Sequence, residues 1–429
     1  MTVETTEPLT TPTAPPTTTR WPDVEHIPSG LRARVAAAVA HRLLRHAVRD
    51  LPLRVEYPDG TAIGRGVDDP DAPRLILRRP DDFARRLGVG GLIGFGESYM
   101  AGDWSAPDPA ATLAVFAADI DTLVPAPLRA LRRYYVSKHP AAERNSESNT
   151  RENIARHYDL SNSMFELFLD ETLTYSSALF PVTTTQPQWS DLADAQRAKI
   201  DRLLDRAHVG PGTRVLEIGT GWGELALRAA ARGASVRSVT LSVEQQALAR
   251  ERITQAGLAD RVSVDLLDYR SVEGEYDAVV SVEMIEAVGY DYLETFFRTI
   301  DRVLAPNGRV VIQAITMPHR RMLATRNTYT WVQKYIFPGG FLPSTRLLEE
   351  VTARSTELVV DERFSMGAHY AHTLRLWQQR FNAHAEDAAA LGFDTIFRRM
   401  WRLYLAHSEA GFRCGYLDVQ QIVFTRNAS

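Results

Sequence analysis

The chain has 429 residues, of which 45% are hydrophobic and 24% charged, with a net charge of −4. That length predicts two or three domains with ordinary globular cores, and the charge excludes a global polycation for nucleic acid. The single cysteine, Cys414, excludes a disulfide framework and a cysteine metal cluster. No apolar run approaches the ~20 residues of a membrane span. The start, Met1-Thr-Val-Glu-Thr-Thr-Glu7, lacks the basic and apolar regions of a signal peptide. A cytoplasmic protein is expected, with any membrane contact peripheral and on the inner face.

Residues 1–20 are rich in Thr and Pro and read as a disordered tail. Residues 21–136 read as a small α/β domain. A helix is expected over 29–49, with Ser29 as its N-cap. Leu31, Val35, Ala38, Val39, Arg42 and Leu43 mark one stripe. Arg32, Arg34, Arg45 and Arg49, with His41 and His46, make the rest basic. Such a surface is either a solvated face or one that meets anionic lipid headgroups. Strands follow near 53–57 and 75–77, then helical segments at 81–87, 109–118 and 126–136, with the glycine-dense run Gly90 to Trp104 between the first two. The polar stretch 137–150 reads as a linker, and a larger domain runs from 151 to 429.

That second domain turns on Val215-Leu-Glu-Ile-Gly-Thr-Gly-Trp-Gly223. A short apolar strand, three alternate glycines and an Ala- and Leu-rich helix form the opening unit of a nucleotide-binding α/β sheet. The spacing is E-x-G-x-G-x-G, not the dinucleotide G-x-G-x-x-G. Further strands are expected over 235–241, 262–267, 276–282 and 309–315, with helices over 243–255 and 292–304. This alternation predicts a doubly wound parallel sheet, with ligands at the C-terminal strand ends. The second strand has no acid at its end, which argues against a dehydrogenase. Residues 316–345 interrupt the pattern with aromatic residues that either roof an apolar pocket or pack in the core. Long helices near 371–386 and 394–409 and a strand over 415–424 close the chain. His369 and His372 would hold a metal only with a third ligand, and none follows at a usual spacing.

Four segments together resemble the cyclopropane-fatty-acyl-phospholipid synthase family of S-adenosylmethionine (SAM) dependent methyltransferases. They are His157-Tyr-Asp-Leu-Ser-Asn162 with Thr174-Tyr-Ser176, the glycine motif, Val282-Glu-Met-Ile-Glu-Ala-Val-Gly289, and Ile336-Phe-Pro-Gly-Gly-Phe-Leu-Pro343. The Gly96 to Trp104 run is similar to the N-terminal domain of the longer, phospholipid-acting members. The version Glu283-Met-Ile-Glu286 is more like a branch that includes enzymes making tuberculostearic-type, mid-chain methyl or methylene fatty acids.

The resemblance implies a class I SAM methyltransferase fold with a smaller N-terminal lipid-binding domain. It implies methyl transfer to the cis double bond of a phospholipid acyl chain, through a carbocation, giving a methylene branch or a cyclopropane ring. A bound bicarbonate would serve as general base. Carried over by position, Glu286 would hold the bicarbonate through a shared proton, Tyr370 would donate its hydroxyl and Ile315 would offer its backbone carbonyl. Ser177 and Gln313 stand where many members have Cys and His, which puts the cyclopropane outcome in question more than the methyl transfer. For SAM, Gly219 and Gly221 would let the backbone approach, and Glu217 would organise the methionine end. Thr240, Leu241 and Gln245 would line the ribose and methionine side, Asp268 would accept from the adenine amino group and Tyr269 would pack on its ring. Tyr175 and Ser176 would close over the methionine carboxylate. A homo-oligomer is implied, and a saturated product would need a separate reductase. Two other readings stand beside this one: a methyltransferase of soluble small molecules, and a lipid-binding protein with a relic SAM site.

Overall fold

In the computed structural model, residues 20–119 and 161–426 are described. The sequence expectations for 1–19, for the helix at 126–136, for the linker and for His157 to Leu160 lie outside them.

Two helices and a small sheet come first among the described residues. Helix α1 (Pro22–Glu25) and helix α2 (Gly30–Val48) precede β1 (Arg54–Glu56), β2 (Ala62–Ile63) and β3 (Arg74–Leu77). Helix α3 (Pro80–Ala101) leads to β4 (Trp104–Ser105) and helix α4 (Pro109–Ala118). The strands run β2-β1-β3-β4, with only β1 and β3 parallel. Ser29 takes the N-cap position of α2 in an extended conformation, but its hydroxyl makes no capping bond. The glycine-dense run continues α3 as far as Ala101, across a kink where Gly91 has φ 55°. The small residues let α2 and α3 meet closely: a Cβ on Gly88 would stand 2.5 Å from the Ala36 backbone. Helix α2 therefore buries its alanine face, through Ala33 and Ala40, and turns Leu31, Val35 and Val39 outward.

The second sheet has seven strands in the order β10-β11-β9-β8-β5-β6-β7. Five are parallel: β5 (Arg214–Ile218), β6 (Ser235–Thr240), β7 (Val262–Leu266), β8 (Tyr276–Val282) and β9 (Leu304–Thr316). Two antiparallel strands complete it, β10 (Leu358–Ser365) and β11 (Asp418–Arg426), with β11 inserted beside β9. The sequence pattern anticipated β11 but not β10, whose polar Asp361-Glu-Arg363 masks the strand. Residues alternate between the faces with the period of two that a pleated sheet requires. Leu216, Val279, Val310, Ile312 and Ile422 pack into one apolar cluster, while Val215, Val280, Val311 and Val423 pack into the other. After the short helix α5 (Asn162–Glu166), the helices Trp189–Arg206 (α6), Glu224–Ala231 and Val243–Gln255 pack on the second cluster, and Leu293–Val303 packs on the first.

A third apolar cluster joins the small sheet to the rest of the molecule. Leu53, Val55, Leu75 and Trp104 belong to the same buried cluster as Phe165, Phe168, Trp377 and Trp401. The last two lie on the long helices Gly367–Ala383 and Thr395–Arg413. The aromatic segment after β9 docks on this joint. Trp331 is buried, its indole N–H points to Met100 Sδ at 3.3 Å, and Lys334 and the Tyr335 hydroxyl both reach the Glu97 carboxylate, at 2.5 and 2.8 Å. Gly96 makes this possible, because a Cβ there would lie 2.4 Å from the Trp331 ring. Gly96→Val is therefore expected to cost about 1–3 kcal/mol through overpacking and to lower the midpoint of thermal unfolding, measured by circular dichroism. An unchanged midpoint would mean that the segment does not hold this position.

Candidate active site

The glycine turn after β5 opens a cavity at the C-terminal ends of the parallel strands. Gly219, Gly221 and Gly223 all have positive φ, at 98°, 52° and 90°, which L side chains rarely adopt. A Cβ on Gly219 would also press on the Met284 side chain at 3.2 Å. Tyr175, Ser176, Glu217, Gly219, Gly221, Thr240, Leu241, Gln245 and Tyr269 all line this cavity. The bare backbone of the turn, the flanking carboxylate and the apolar wall suit a nucleoside with a charged amino-acid tail, so the chain's residues fit SAM. Its sulfonium would supply an electrophilic methyl group here.

Asp268 behaves differently from the expectation. Its carboxylate turns onto Arg270, accepting from the backbone N–H at 2.9 Å and from the guanidinium at 2.8 and 2.6 Å. Burial raises its pKa, but these bonds outweigh burial and hold it below the ordinary value. Asp268 does not line the cavity; Tyr269 and Arg270 do.

Glu217 is buried and accepts from Ser238 Oγ at 2.5 Å, yet burial still pushes its pKa up to about 8. The Tyr175 hydroxyl meets that of Tyr404 at 2.8 Å. Ser176 Oγ accepts from Lys199 Nζ at 2.5 Å. Lys199 is fully buried and lines the cavity. Burial lowers its pKa to about 8, against the opposing pull of Glu283 and Asp170. Sequence reasoning passed over this lysine, although a signal existed. It sits on the stripe Leu192, Ala195, Gln196, Lys199, Ile200, Leu203 that α6 buries, and a cation on a buried stripe asks for a partner.

Behind the cavity, three of the five residues expected around bicarbonate, Ser177, Gln313 and Tyr370, do come together, but on Glu283. This residue follows β8 and was not among the expected site residues. Its Oε1 accepts from the Ser177 backbone N–H at 2.9 Å and from Gln313 Nε2 at 2.8 Å, and its Oε2 accepts from the Tyr370 hydroxyl at 2.7 Å. Ser177 Oγ turns away to the Ala178 carbonyl. Gln313 is oriented from behind, its Oε1 accepting from Gln421 Nε2 at 3.1 Å. Ile315 engages Glu286 through its N–H, 2.5 Å from Oε1, and not through a carbonyl. Glu286 Oε2 is buried with no hydrogen-bond partner. Burial, with the Glu283 charge beside it, raises Glu286 to about 8. Burial likewise raises Glu283, against Lys199, Tyr370, Ser177 and Gln313, which favour its charged form. Burial and Glu283 push Tyr370 well above its ordinary value, so it remains a donor. His369 Nδ1 accepts from the Phe180 backbone N–H at 3.2 Å.

The raised carboxylates set a pH dependence. Glu286 keeps a proton in the folded state that the unfolded chain, with its ordinary value of 4.5, has already released. Stability from this group is complete below that value and is lost as pH rises towards about 8. Glu286→Gln mimics the protonated form. Its melting temperature relative to the wild type is expected to rise progressively between about pH 5 and pH 8, measured by scanning calorimetry. A constant difference would mean that Glu286 ionises normally.

Comparison with known proteins identifies the family and the fold. Residues 145–422 match the family model described as mycolic acid cyclopropane synthetase. The tuberculostearic acid methyltransferase UfaA1 of Mycobacterium tuberculosis is 56% identical over 428 residues, 99% of either chain. The cyclopropane-fatty-acyl-phospholipid synthase of Escherichia coli is 35% identical over 366 residues, covering 83% of this chain and 88% of its own. Among solved structures, the cyclopropane synthase MmaA2 of Mycobacterium tuberculosis aligns with a TM-score of 0.58 at 32% identity, over 64% of this chain and 98% of that one. The mycolic acid cyclopropane synthase CmaA1, complexed with SAH and CTAB, aligns with a TM-score of 0.59 at 30% identity, over 64% of this chain and 98% of that one. The seven-stranded sheet is thus a class I SAM methyltransferase fold, and the chain belongs to the mycolic acid cyclopropane synthetase family.

Proposed function

We propose that this chain transfers the methyl group of SAM to the cis double bond of an unsaturated acyl chain in a phospholipid. The product favoured is a methylene-branched fatty acid, in keeping with the 56% identity to a protein named as a tuberculostearic acid methyltransferase. A cyclopropane product is the second reading, supported by the 35% identity to a cyclopropane synthase. The observation that carries the proposal is a buried carboxylate cluster beside a glycine-turn cavity, adjoining an aromatic core. Alkene methylation needs these features together. The π electrons attack the methyl carbon, the sulfonium C–S bond breaks, and a carbocation is left on the chain. Phe165, Phe168, Tyr175, Trp377 and Trp401 form a continuous aromatic cluster, which keeps water from such a cation. A saturated methyl branch would then need a hydride from a separate reductase.

The same reading places the chain peripherally on the cytoplasmic face of a membrane, since its substrate lies there. Leu31, Val35 and Val39 of α2 are 76%, 58% and 54% exposed, and Val89 and Leu92 of α3 are 57% and 74% exposed. Arg34, Arg42, Arg45 and Arg85 line a groove beside them. Apolar residues rimmed by arginines suit an anionic lipid surface. No helix among the described residues is long and apolar enough to cross a membrane.

Two measurements test these statements. Purified protein with SAM and vesicles of a monounsaturated phospholipid is expected to yield an acyl chain heavier by one CH₂. Ozonolysis of that product should release formaldehyde from an exocyclic methylene, whereas a ring would survive. Unchanged lipid alongside methylation of a soluble metabolite would overturn the proposal. The triple variant L31D/V35D/V39D is expected to weaken sedimentation with anionic vesicles by about tenfold or more while leaving SAH binding unchanged. Equal sedimentation of variant and wild type would remove α2 from the membrane contact.

A further inference from the structure

We infer that the Glu283 carboxylate is itself the base that takes the proton in this reaction, standing where the resemblance leads one to expect bicarbonate. The inference rests on the reading of the chain as an alkene-methylating enzyme.

The donor set decides the matter. A bicarbonate base needs hydrogen-bond donors that are free to receive it. In this chain Ser177 N–H and Gln313 Nε2 are spent on one oxygen of Glu283, and the Tyr370 hydroxyl on the other. The two remaining groups, the Ile315 N–H and Glu286, are bonded to each other. Bicarbonate therefore does not fit this arrangement of residues. A carboxylate presents a pair of oxygens on a planar carbon, as bicarbonate does, so it meets the same donors without being recruited from solution.

Position supports the assignment. Of the polar cluster formed by Ser177, Glu283, Glu286, Gln313 and Tyr370, Glu283 is the member that lines the cofactor cavity. It flanks Met284, the residue that packs against the Gly219 turn. Its backbone has φ 49°, a left-handed conformation in a residue other than glycine, held by a bond from its own N–H to the Gln313 carbonyl at 2.8 Å. Strained backbone of this kind persists where surrounding structure fixes it, and it gathers at functional sites. Lys199, which points at Ser176 in the same cavity, opposes the effect of burial and favours the charged form of Glu283. Two other carboxylates stand on the cavity wall, but Glu217 is bonded to Ser238 and Glu224 is paired with Arg252.

The step balances without an added reagent. After methyl transfer the cation sits on the carbon next to the methylated one. A hydride shift moves it onto the methylated carbon. The electron pair of one methyl C–H bond then becomes the C=C bond of the exocyclic methylene, and the proton passes to a Glu283 oxygen. In the ring-forming alternative the same pair closes the cyclopropane without the shift. No electrons are gained or lost overall, and the carboxylic acid formed gives its proton back to solvent.

The test uses the full-length protein, monounsaturated phospholipid vesicles and SAM in buffer stripped of carbon dioxide. Wild-type turnover is expected to be the same with and without added bicarbonate. Glu283→Gln is expected to lose at least about 100-fold in rate, with SAH binding retained, and not to respond to bicarbonate. Glu283→Gly suits the left-handed backbone and frees the three donors, so it should be slow alone and recover in a saturable way when bicarbonate is added. Stimulation of the wild type by bicarbonate, or full activity of Glu283→Gln, would overturn the inference. A second arm does not depend on the substrate. With SAH present, ¹³C-bicarbonate should show no bound signal by NMR with the wild type and a bound signal with Glu283→Gly. A bound equivalent on the wild type would overturn the inference, even if no lipid were methylated and the functional proposal itself had failed.

Discussion

A carboxylate removed from water must be surrounded by donors or surrender its charge. That constraint governs the centre of this molecule. Burial raises the pKa of Glu283, and three separate elements oppose it by each bringing a donor that favours the charged form: the loop holding Ser177, the strand β9 holding Gln313, and the helix holding Tyr370. Helix α6 adds Lys199 nearby. Glu286, three residues on, has one N–H and an orphaned oxygen, and the charge of Glu283 bears on it. It is pushed to about 8 and so holds its proton at neutral pH. The cluster thus sets two chemically identical side chains in different surroundings, one met by three donors and the other by one. Because the donors come from elements far apart in sequence, the charge state of the site and the assembly of the fold are one problem.

The aromatic core meets the opposite requirement. A carbocation survives only where water is excluded, and exclusion needs continuous packing. The small sheet does not pack by itself, since its residues share a cluster with the long C-terminal helices. The segment after β9 clamps that joint through Trp331 and the Glu97–Lys334–Tyr335 network. The small domain that carries the surface proposed for lipid contact and the domain that carries the cavity are therefore joined through one packed core.

The parallel sheet was legible because its signals are local. Apolar strands, the glycine turn and regular alternation each occupy a few consecutive residues, and the observed strand ends lie within a residue or two of those expected, except that β9 begins at Leu304 and not at 309. What escaped was set by long-range contacts. β10 is an edge strand with charges on its exposed side, so nothing in its own pattern announced it. The stripe Leu31, Val35, Val39 was seen, but its outward direction depends on Gly88 and the alanines that bring α2 onto α3. Of the residues expected at the cofactor site, nine line the cavity, whereas Asp268 is claimed by the neighbouring Arg270. A local ion pair of that kind cannot be foreseen from a carried-over role.

Ser177 and Gln313 looked, by resemblance, like two independent departures that weakened an anion site. The geometry makes them parts of one arrangement with Glu283. Ser177 contributes only its backbone N–H, so its side chain is released from the task and turns to the Ala178 carbonyl. Gln313 donates one amide hydrogen to Glu283 while its carbonyl accepts from Gln421, which is fixed in turn by Arg202 and by the Lys199 carbonyl. An amide suits this place because it donates to an anion without adding a charge that titrates, whereas an imidazole there would change protonation near neutral pH. A carboxylate tethered to the chain needs fewer donors than a free ion, having no entropy of capture to offset. Ser177, Gln313 and the unexpected glutamate therefore form a single arrangement, in which the anion is part of the protein.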